Sequence, residues 1–162
     1  VDLFAGSGAL GVEALSRGAT HVTFVDTSRA STDAVGANLE ALGFTDVATV
    51  LRRDAFAVLA AGVTALGGPV SLVLADPPYA FDRWHELATA LIPILADGAV
   101  IVAESDRPLG DELVGVFAAS IPKERRYGGT VMTMMTFQGL LPTPSASDPA
   151  SVSARTDFGA DS

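Results

Sequence analysis

"VDLFAGSGALG", residues 1–11, is the stretch on which the fold turns. An apolar strand runs directly into Gly6, Gly8 and Gly11, a G-x-G-x-x-G spacing. Gly6 and Gly8 let the backbone turn tightly and approach a ligand that a Cβ would repel, and Gly11 lets the following helix pack close against the sheet. Asp26 ends the next apolar run, about 20 residues beyond Gly6, where a carboxylate can accept from ribose hydroxyls. This spacing fits NAD and also another adenosine-containing cofactor, and a tight turn with no ligand is the bland alternative. Asp2 adds a hint, because an acid near the start of the first strand suits a cationic amine on the ligand better than a second phosphate.

Beyond the loop, short β-branched runs alternate with amphipathic helical windows, which predicts an α/β sheet built from βαβ units. The strands are expected at 1–5, 21–26, 47–52, 70–75 and 99–104, with helices near 9–18, 28–42, 55–61, 82–96 and 109–119. "VSLVLA" and "AVIVAE" are continuous apolar runs, as strands buried on both faces should be. Gly18 and Gly43 stand where helix C-caps belong. After residue 120 the rhythm changes: "IPKERRYGGTVMTMMTF" reads as two strands joined at Gly128-Gly129, a hairpin. From residue 138 onward Ser, Pro and Ala dominate without periodicity. One domain over 1–137 and a disordered tail over 138–162 are therefore expected.

Composition bounds the function. A chain of 162 residues with 49% hydrophobic content is large and apolar enough for one real core. The absence of Cys excludes disulfides and thiolate metal sites and fits a cytoplasmic protein. The two His, His21 and His85, are far apart, so no metal is expected, and His85 reads as a surface helix residue. Residues 55–75 carry no charge and are long enough to raise a membrane span, but Gly67, Gly68 and Pro69 split them. A short helix, a turn and a buried strand is the better reading, and no membrane partner is expected. The net charge of −9 argues mildly against a nucleic-acid partner, since Arg52-Arg53 and Lys123, Arg125 and Arg126 are the local basic clusters.

"LVLADPPYAF", residues 72–81, weighs the other way. Asp76-Pro77-Pro78-Tyr79 follows the fourth strand, on the side of the sheet where the glycine loop lies and where open α/β sheets bind ligands. Two prolines fix φ and give up two backbone donors, leaving carbonyls free to accept. Asp76 adds a carboxylate acceptor and Tyr79 an aromatic face. Such a set suits a planar group with an exocyclic NH2, its N–H bonds going to the Asp76 carboxylate and the Pro77 carbonyl while the ring stacks on Tyr79. A Pro-rich turn without function is the alternative, and an NAD enzyme would leave this loop without a purpose.

"DLFAGSGALGVEALSRGA" together with "DPPY" resembles the class I S-adenosylmethionine-dependent methyltransferases. More narrowly, it is similar to the bacterial 16S rRNA guanine-N2 methyltransferases, over residues 1 to about 137. The resemblance implies a Rossmann-like fold, a mostly parallel seven-stranded sheet ending in an antiparallel hairpin, with S-adenosyl-L-methionine as cofactor. It places Asp2, Gly6 and Gly8 around the methionine moiety, with Phe4, Ala5 and Ser7 of the same loop among the cofactor-binding residues. Asp26 would hold the ribose hydroxyls, with Thr27 beside it. Asp54 would accept from the adenine amine, and the Ala55 N–H would meet the ring. Asp76, Pro77, Pro78 and Tyr79 would hold the target guanine, Asp76 also touching the cofactor.

The implied enzyme is a cytoplasmic monomer whose partner is 16S rRNA or the small ribosomal subunit. DPPY is shared with DNA adenine and protein glutamine methyltransferases, so those substrates stay open as alternatives. Other acids have bland readings: Asp54 as a helix N-cap, Glu13 and Glu40 as solvated helix residues, Glu104 as a site residue or a solvated strand end. Phe81 and Trp84 read as core packing or as flanks of the target base. Family members carry a basic segment before the glycine strand, whereas this chain begins inside that strand. A truncated piece, binding cofactor weakly and methylating rRNA poorly or not at all, is the corresponding expectation.

Overall fold

The computed structural model describes residues 1–116 and 122–139. Strand β1 (Asp2–Leu3) is shorter than the apolar run predicts, because the chain turns at Phe4, where φ is 62°. Then follow α1 (Ala9–Ser16), β2 (Val22–Asp26), α2 (Arg29–Leu42), β3 (Ala48–Arg52), α3 (Ala55–Ala60) and β4 (Val70–Ala75). The chain continues through α4 (Trp84–Leu91), β5 (Leu95–Ser105), α5 (Gly110–Val114), β6 (Lys123–Tyr127) and β7 (Thr130–Thr136). The strands form one seven-stranded sheet in the order β3-β2-β1-β4-β5-β7-β6. Strands β1 to β5 pair in parallel, while β7 lies antiparallel between β5 and β6. A dinucleotide-binding sheet runs 3-2-1-4-5-6. The inserted, reversed β7 departs from that order and forms the antiparallel hairpin that the resemblance implies.

Apolar residues on both faces hold the sheet between helices. One face packs Leu3, Val25, Val73 and Ile101 with Val58, Leu87 and Leu113 of α3, α4 and α5. The other packs Val22 and Phe24 with Leu15, Val35 and Leu39 of α1 and α2. Double-sided burial is why the central strands read as unbroken apolar runs. β1 pairs with both β2 and β4, so Asp2 lies opposite Phe24 on one side and Leu74 on the other, in the middle of the sheet.

The helix ends follow the glycines. Gly18, with φ 99°, stands just past α1, and Gly43, with φ 74°, caps α2. The Gly43 N–H donates to the Glu40 carbonyl and that of Phe44 to the Leu39 carbonyl, satisfying acceptors that α2 leaves open. Helix α4 stops at Leu91, short of the predicted 96, and continues as a tight turn over Ile92–Ile94. Pro93 has no N–H to continue the ladder, and its ring crowds the preceding turn. Strand β5 begins earlier than expected, at Leu95, which pairs with Val70 before the register shifts. Gly98, with φ 74°, lies in that irregular stretch.

The charge-free stretch 55–75 resolves into α3, a turn over Val63–Leu66 and β4. No helix among the described residues is long and apolar enough to cross a membrane. The β6–β7 hairpin turns at Gly128-Gly129 as predicted. The predicted helix residues 117–119 and the predicted tail from 140 onward lie outside the described residues.

Candidate active site

The glycine loop is held from three directions. Its Ala5 N–H donates to the Val25 carbonyl at 3.0 Å, and the Gly8 N–H donates back to the Ala5 carbonyl at 2.7 Å. The Gly6 N–H donates to Asp26 Oδ2 at 2.9 Å, while Asp26 Oδ1 accepts from the Ser28 N–H at 2.8 Å. Asp26 therefore ties the loop to the start of α2. Each of its oxygens keeps a lone pair for a further donor. On the other side, Asn38 Nδ2 of α2 donates to the Ser7 carbonyl at 2.9 Å. Nothing in the sequence pattern singled out Asn38, since one Asn on a helix face carries no spacing signal.

Two loop glycines are required for different reasons. Gly8, at φ 81°, starts α1 in a left-handed conformation that L side chains seldom adopt. Gly11 is required by space: a Cβ there would lie 2.3 Å from Phe24 Cε1 and 2.9 Å from Asp2 Oδ2. Its N–H donates to that same Asp2 oxygen at 2.9 Å. Asp2 is 1% exposed, and burial pushes its carboxyl up to about 7. The Gly11 N–H pulls it back, while Asp76 and Asp26 push it further up.

A cleft of about 630 Å³ opens along the carboxyl ends of β1, β2, β3 and β4. That size suits a small-molecule or cofactor site. Asp2, Phe4, Ala5, Gly6 and Ser7 line one side, and Asp26, Thr27, Asp54 and Ala55 another. Asp76, Pro77 and Pro78 close a third, so the cleft gathers these predicted cofactor residues; Gly8 lies behind, buried against Val35 and Phe24. The donor set fits an adenosine-containing group with a cationic amine, since a buried carboxylate stands at β1 and separate carboxylates stand at β2 and after β3. Asp54 also N-caps α3, its Oδ1 accepting from the Ala57 N–H at 3.0 Å. Its other oxygen has no hydrogen-bond partner among the described residues. Arg53 lines the cleft as well, a placement that the Arg52-Arg53 pair does not show in the sequence.

A smaller cleft of about 120 Å³ lies on the far side of Asp76, Pro77 and Pro78, with Tyr79, Trp84, Glu104 and Thr130 in its wall. Only one of the two proline carbonyls is open. That of Pro78 accepts from the Phe81 N–H at 2.8 Å, closing a turn, while that of Pro77 has no partner among the described residues. Phe81 fixes the turn in place, edge-on to Trp84 at 5.1 Å, tilted to Phe4 at 5.4 Å and stacked with Phe56 at 6.4 Å. Trp84 is 2% exposed, so it packs in the core while bordering the cleft. Tyr79 is the opposite case, 76% exposed, a free ring at the lip. Partial burial raises the Asp76 pKa.

The family described as Conserved hypothetical protein 95 matches residues 1–136. The chain belongs to that family. It is 42% identical over 142 residues to "Putative rRNA methyltransferase YlbH" of Bacillus subtilis (strain 168), covering 86% of this chain and 76% of that one. It is 38% identical over 108 residues to "Ribosomal RNA small subunit methyltransferase D" of Escherichia coli (strain K12), covering 65% of this chain and 52% of that one. The chain thus spans about half the length of the E. coli relative.

Among solved structures, a conserved hypothetical protein of Streptococcus pyogenes superposes with a TM-score of 0.75 at 29% identity, covering 86% of each chain. The structure described as "SMU.776, a putative methyltransferase complexed with SAH" shares the fold with a TM-score of 0.69 at 15% identity, covering 83% of this chain and 44% of that one. The fold and the family are those of S-adenosylmethionine-dependent methyltransferases.

Proposed function

We propose that this protein transfers the methyl group of S-adenosylmethionine to the exocyclic N2 amine of a guanine in 16S rRNA of the small ribosomal subunit. The observation that carries this reading is the shared wall: Asp76, Pro77 and Pro78 border both the large cleft and the small one. A carboxylate and an open carbonyl thus stand where a methyl donor in one cleft would meet an amine in the other. The names of the Bacillus and E. coli relatives support rRNA as the substrate class. Because the chain covers only part of those proteins, substrate and partner are carried to it as proposals.

When bound, S-adenosylmethionine supplies an electrophilic methyl on a positively charged sulfur. The protein's own task is to present the amine. One N–H goes to the Asp76 carboxylate, the other to the Pro77 carbonyl, and Tyr79 stacks on the base. Conjugation normally draws the nitrogen lone pair into the ring. Two acceptors out of the ring plane favour a pyramidal nitrogen with its lone pair aimed at the methyl, which is catalysis by position and electrostatics. Asp76, which borders both clefts, would face the proton that the amine sheds once it is methylated and could accept it. The base has to leave its stack to reach this corner.

Transfer of a tritiated methyl group to small ribosomal subunits, naked 16S rRNA, DNA and protein tests the proposal, with digestion of the product to nucleosides. The expected label is N2-methylguanosine from small-subunit rRNA. Label in DNA adenine or a protein amide would replace guanine with one of those acceptors. Calorimetry with S-adenosylhomocysteine against NADH checks the cofactor independently.

A further inference from the structure

The polar groups that line the small cleft are mostly hydrogen-bond acceptors, set among proline and aromatic side chains. Besides Asp76 and the open Pro77 carbonyl, the Glu104 carboxylate at the end of β5 and Asp106 just beyond it line the wall. The hydroxyls that could have served as donors are committed elsewhere. Thr130 donates to the Glu104 carboxylate, and Ser105 Oγ donates to the Arg107 carbonyl at 2.5 Å. Among the described residues no Lys, Arg, Asn, Gln or His lines this cleft, and the Tyr79 hydroxyl and the Trp84 indole N–H are the donor side chains left in its wall.

We infer that Glu104 is the residue that selects the base, accepting the ring N1–H of a guanine whose N2 amine is held by Asp76 and Pro77. The inference rests on the guanine reading above and deepens it. The Watson–Crick edge of guanine carries adjacent donors, N1–H and N2–H2, which match two adjacent acceptor groups. Adenine offers its N6 amine beside N1, an acceptor, and cytosine its N4 amine beside N3, also an acceptor. Either would set a lone pair against the Glu104 carboxylate. That mismatch is a repulsive element of the kind that makes recognition selective.

Two further observations agree. Glu104 is half-buried and close enough to Asp76 that burial first and the Asp76 charge second raise its pKa. Two facing carboxylates disfavour each other when the cleft is empty and are relieved by a ligand that brings donors. The Thr130 hydroxyl, from the β6–β7 hairpin, stands beside the Glu104 carboxylate and works against that rise by favouring the ionised form.

The test uses an RNA hairpin carrying the target guanine, located by nucleoside analysis of the methylated subunit, and the same hairpin with 2-aminopurine there. 2-Aminopurine keeps the amine but has no N1–H. The full chain should methylate the guanine RNA about 10- to 100-fold faster in kcat/KM, the worth of one hydrogen bond to a charged group. Glu104→Ala should lower the guanine rate to near that of 2-aminopurine, so that the preference collapses, while S-adenosylhomocysteine affinity and Tm stay within error. Binding of the two RNAs in the presence of S-adenosylhomocysteine makes the same comparison without turnover. Equal treatment of both RNAs by the wild-type chain, or a preference that survives Glu104→Ala, overturns the role of Glu104 while leaving rRNA methylation standing. Label in adenine or protein, with none in rRNA, overturns the guanine reading and this inference with it.

Discussion

Asp2 is a carboxylate at the centre of a sheet with a single N–H, that of Gly11, as its hydrogen-bond partner among the described residues. Ionising it there is costly, which is why burial lifts its pKa to about 7. The unfolded value is about 3.9. A raised folded pKa means that the protonated form contributes stability that is full below about pH 4 and is lost as pH climbs through about 7. Asp2→Asn imitates the protonated form, so its Tm relative to wild type should improve between pH 5 and pH 8. A cationic amine in the cleft reverses the preference and draws the proton off. Wild-type affinity for S-adenosylhomocysteine should therefore fall as pH drops from 8 to 5.5, while that of Asp2→Asn should be weak and flat. Calorimetry in buffers of different ionisation enthalpy reads the released proton directly. A wild-type affinity that ignores pH would mean that Asp2 does not meet the amine. Asp76 makes a contrasting prediction, because it belongs to both clefts. Asp76→Ala should remove methyl transfer while leaving cofactor affinity within a few-fold.

Among the elements, α1 and α2 use glycine in opposite ways. Gly11 lets α1 lie against β2, and a methyl group there would press on the Phe24 ring at 2.3 Å. Gly11→Ala should cost ~1–3 kcal/mol by overpacking, read as a lower denaturant midpoint with unchanged m-value. Gly36 sits on the exposed side of α2 with nothing within 4 Å of where its Cβ would be. Gly36→Ala should gain ~0.5–1 kcal/mol, because alanine loses less backbone entropy on entering a helix. The sequence could announce Gly11, since a spacing rule carries it, but not the ring it protects. Strands buried on both faces, helix-ending glycines and the hairpin at Gly128-Gly129 were legible for the same reason: each has a local chemical cause. The early end of β1 at Phe4 and the irregular start of β5 were not, because long-range pairing decides them. Asn38 and Glu104 join the site only when α2 and β5 are brought beside the loops they serve, a relation that no single stretch of chain contains.

At the scale of the whole molecule, a net charge of −9 has to be reconciled with an RNA substrate. Four cations are spent on exposed ion pairs: Arg17 with Glu13, Arg29 with Asp33, Arg83 with Glu86, and Arg107 with Asp106 and Glu112. Such pairs contribute little to stability. They do keep those side chains from meeting phosphates. Arg52, Arg53, Lys123, Arg125 and Arg126 have no ion-pair partner among the described residues. The sheet order sends these two groups to opposite edges, β3 and β6. Register then sets Arg52 level with Asp26, and Arg126 opposite Val131, which pairs with Ser105. Both groups thus reach the carboxyl edge of the sheet, one on each side of the clefts, where a strand of RNA delivering a base would pass. If all five side chains neutralise phosphates, the slope of log K against log salt for a single-stranded or looped RNA is at most about −3.5. Raising salt from about 50 to about 200 mM should then weaken binding roughly a hundredfold and no more. Fluorescence anisotropy of a labelled rRNA hairpin across that range measures the slope. A value much steeper would require phosphate contacts from residues other than these five. A slope near zero would mean that the acidic surface had won and that the carboxyl edge does not carry RNA.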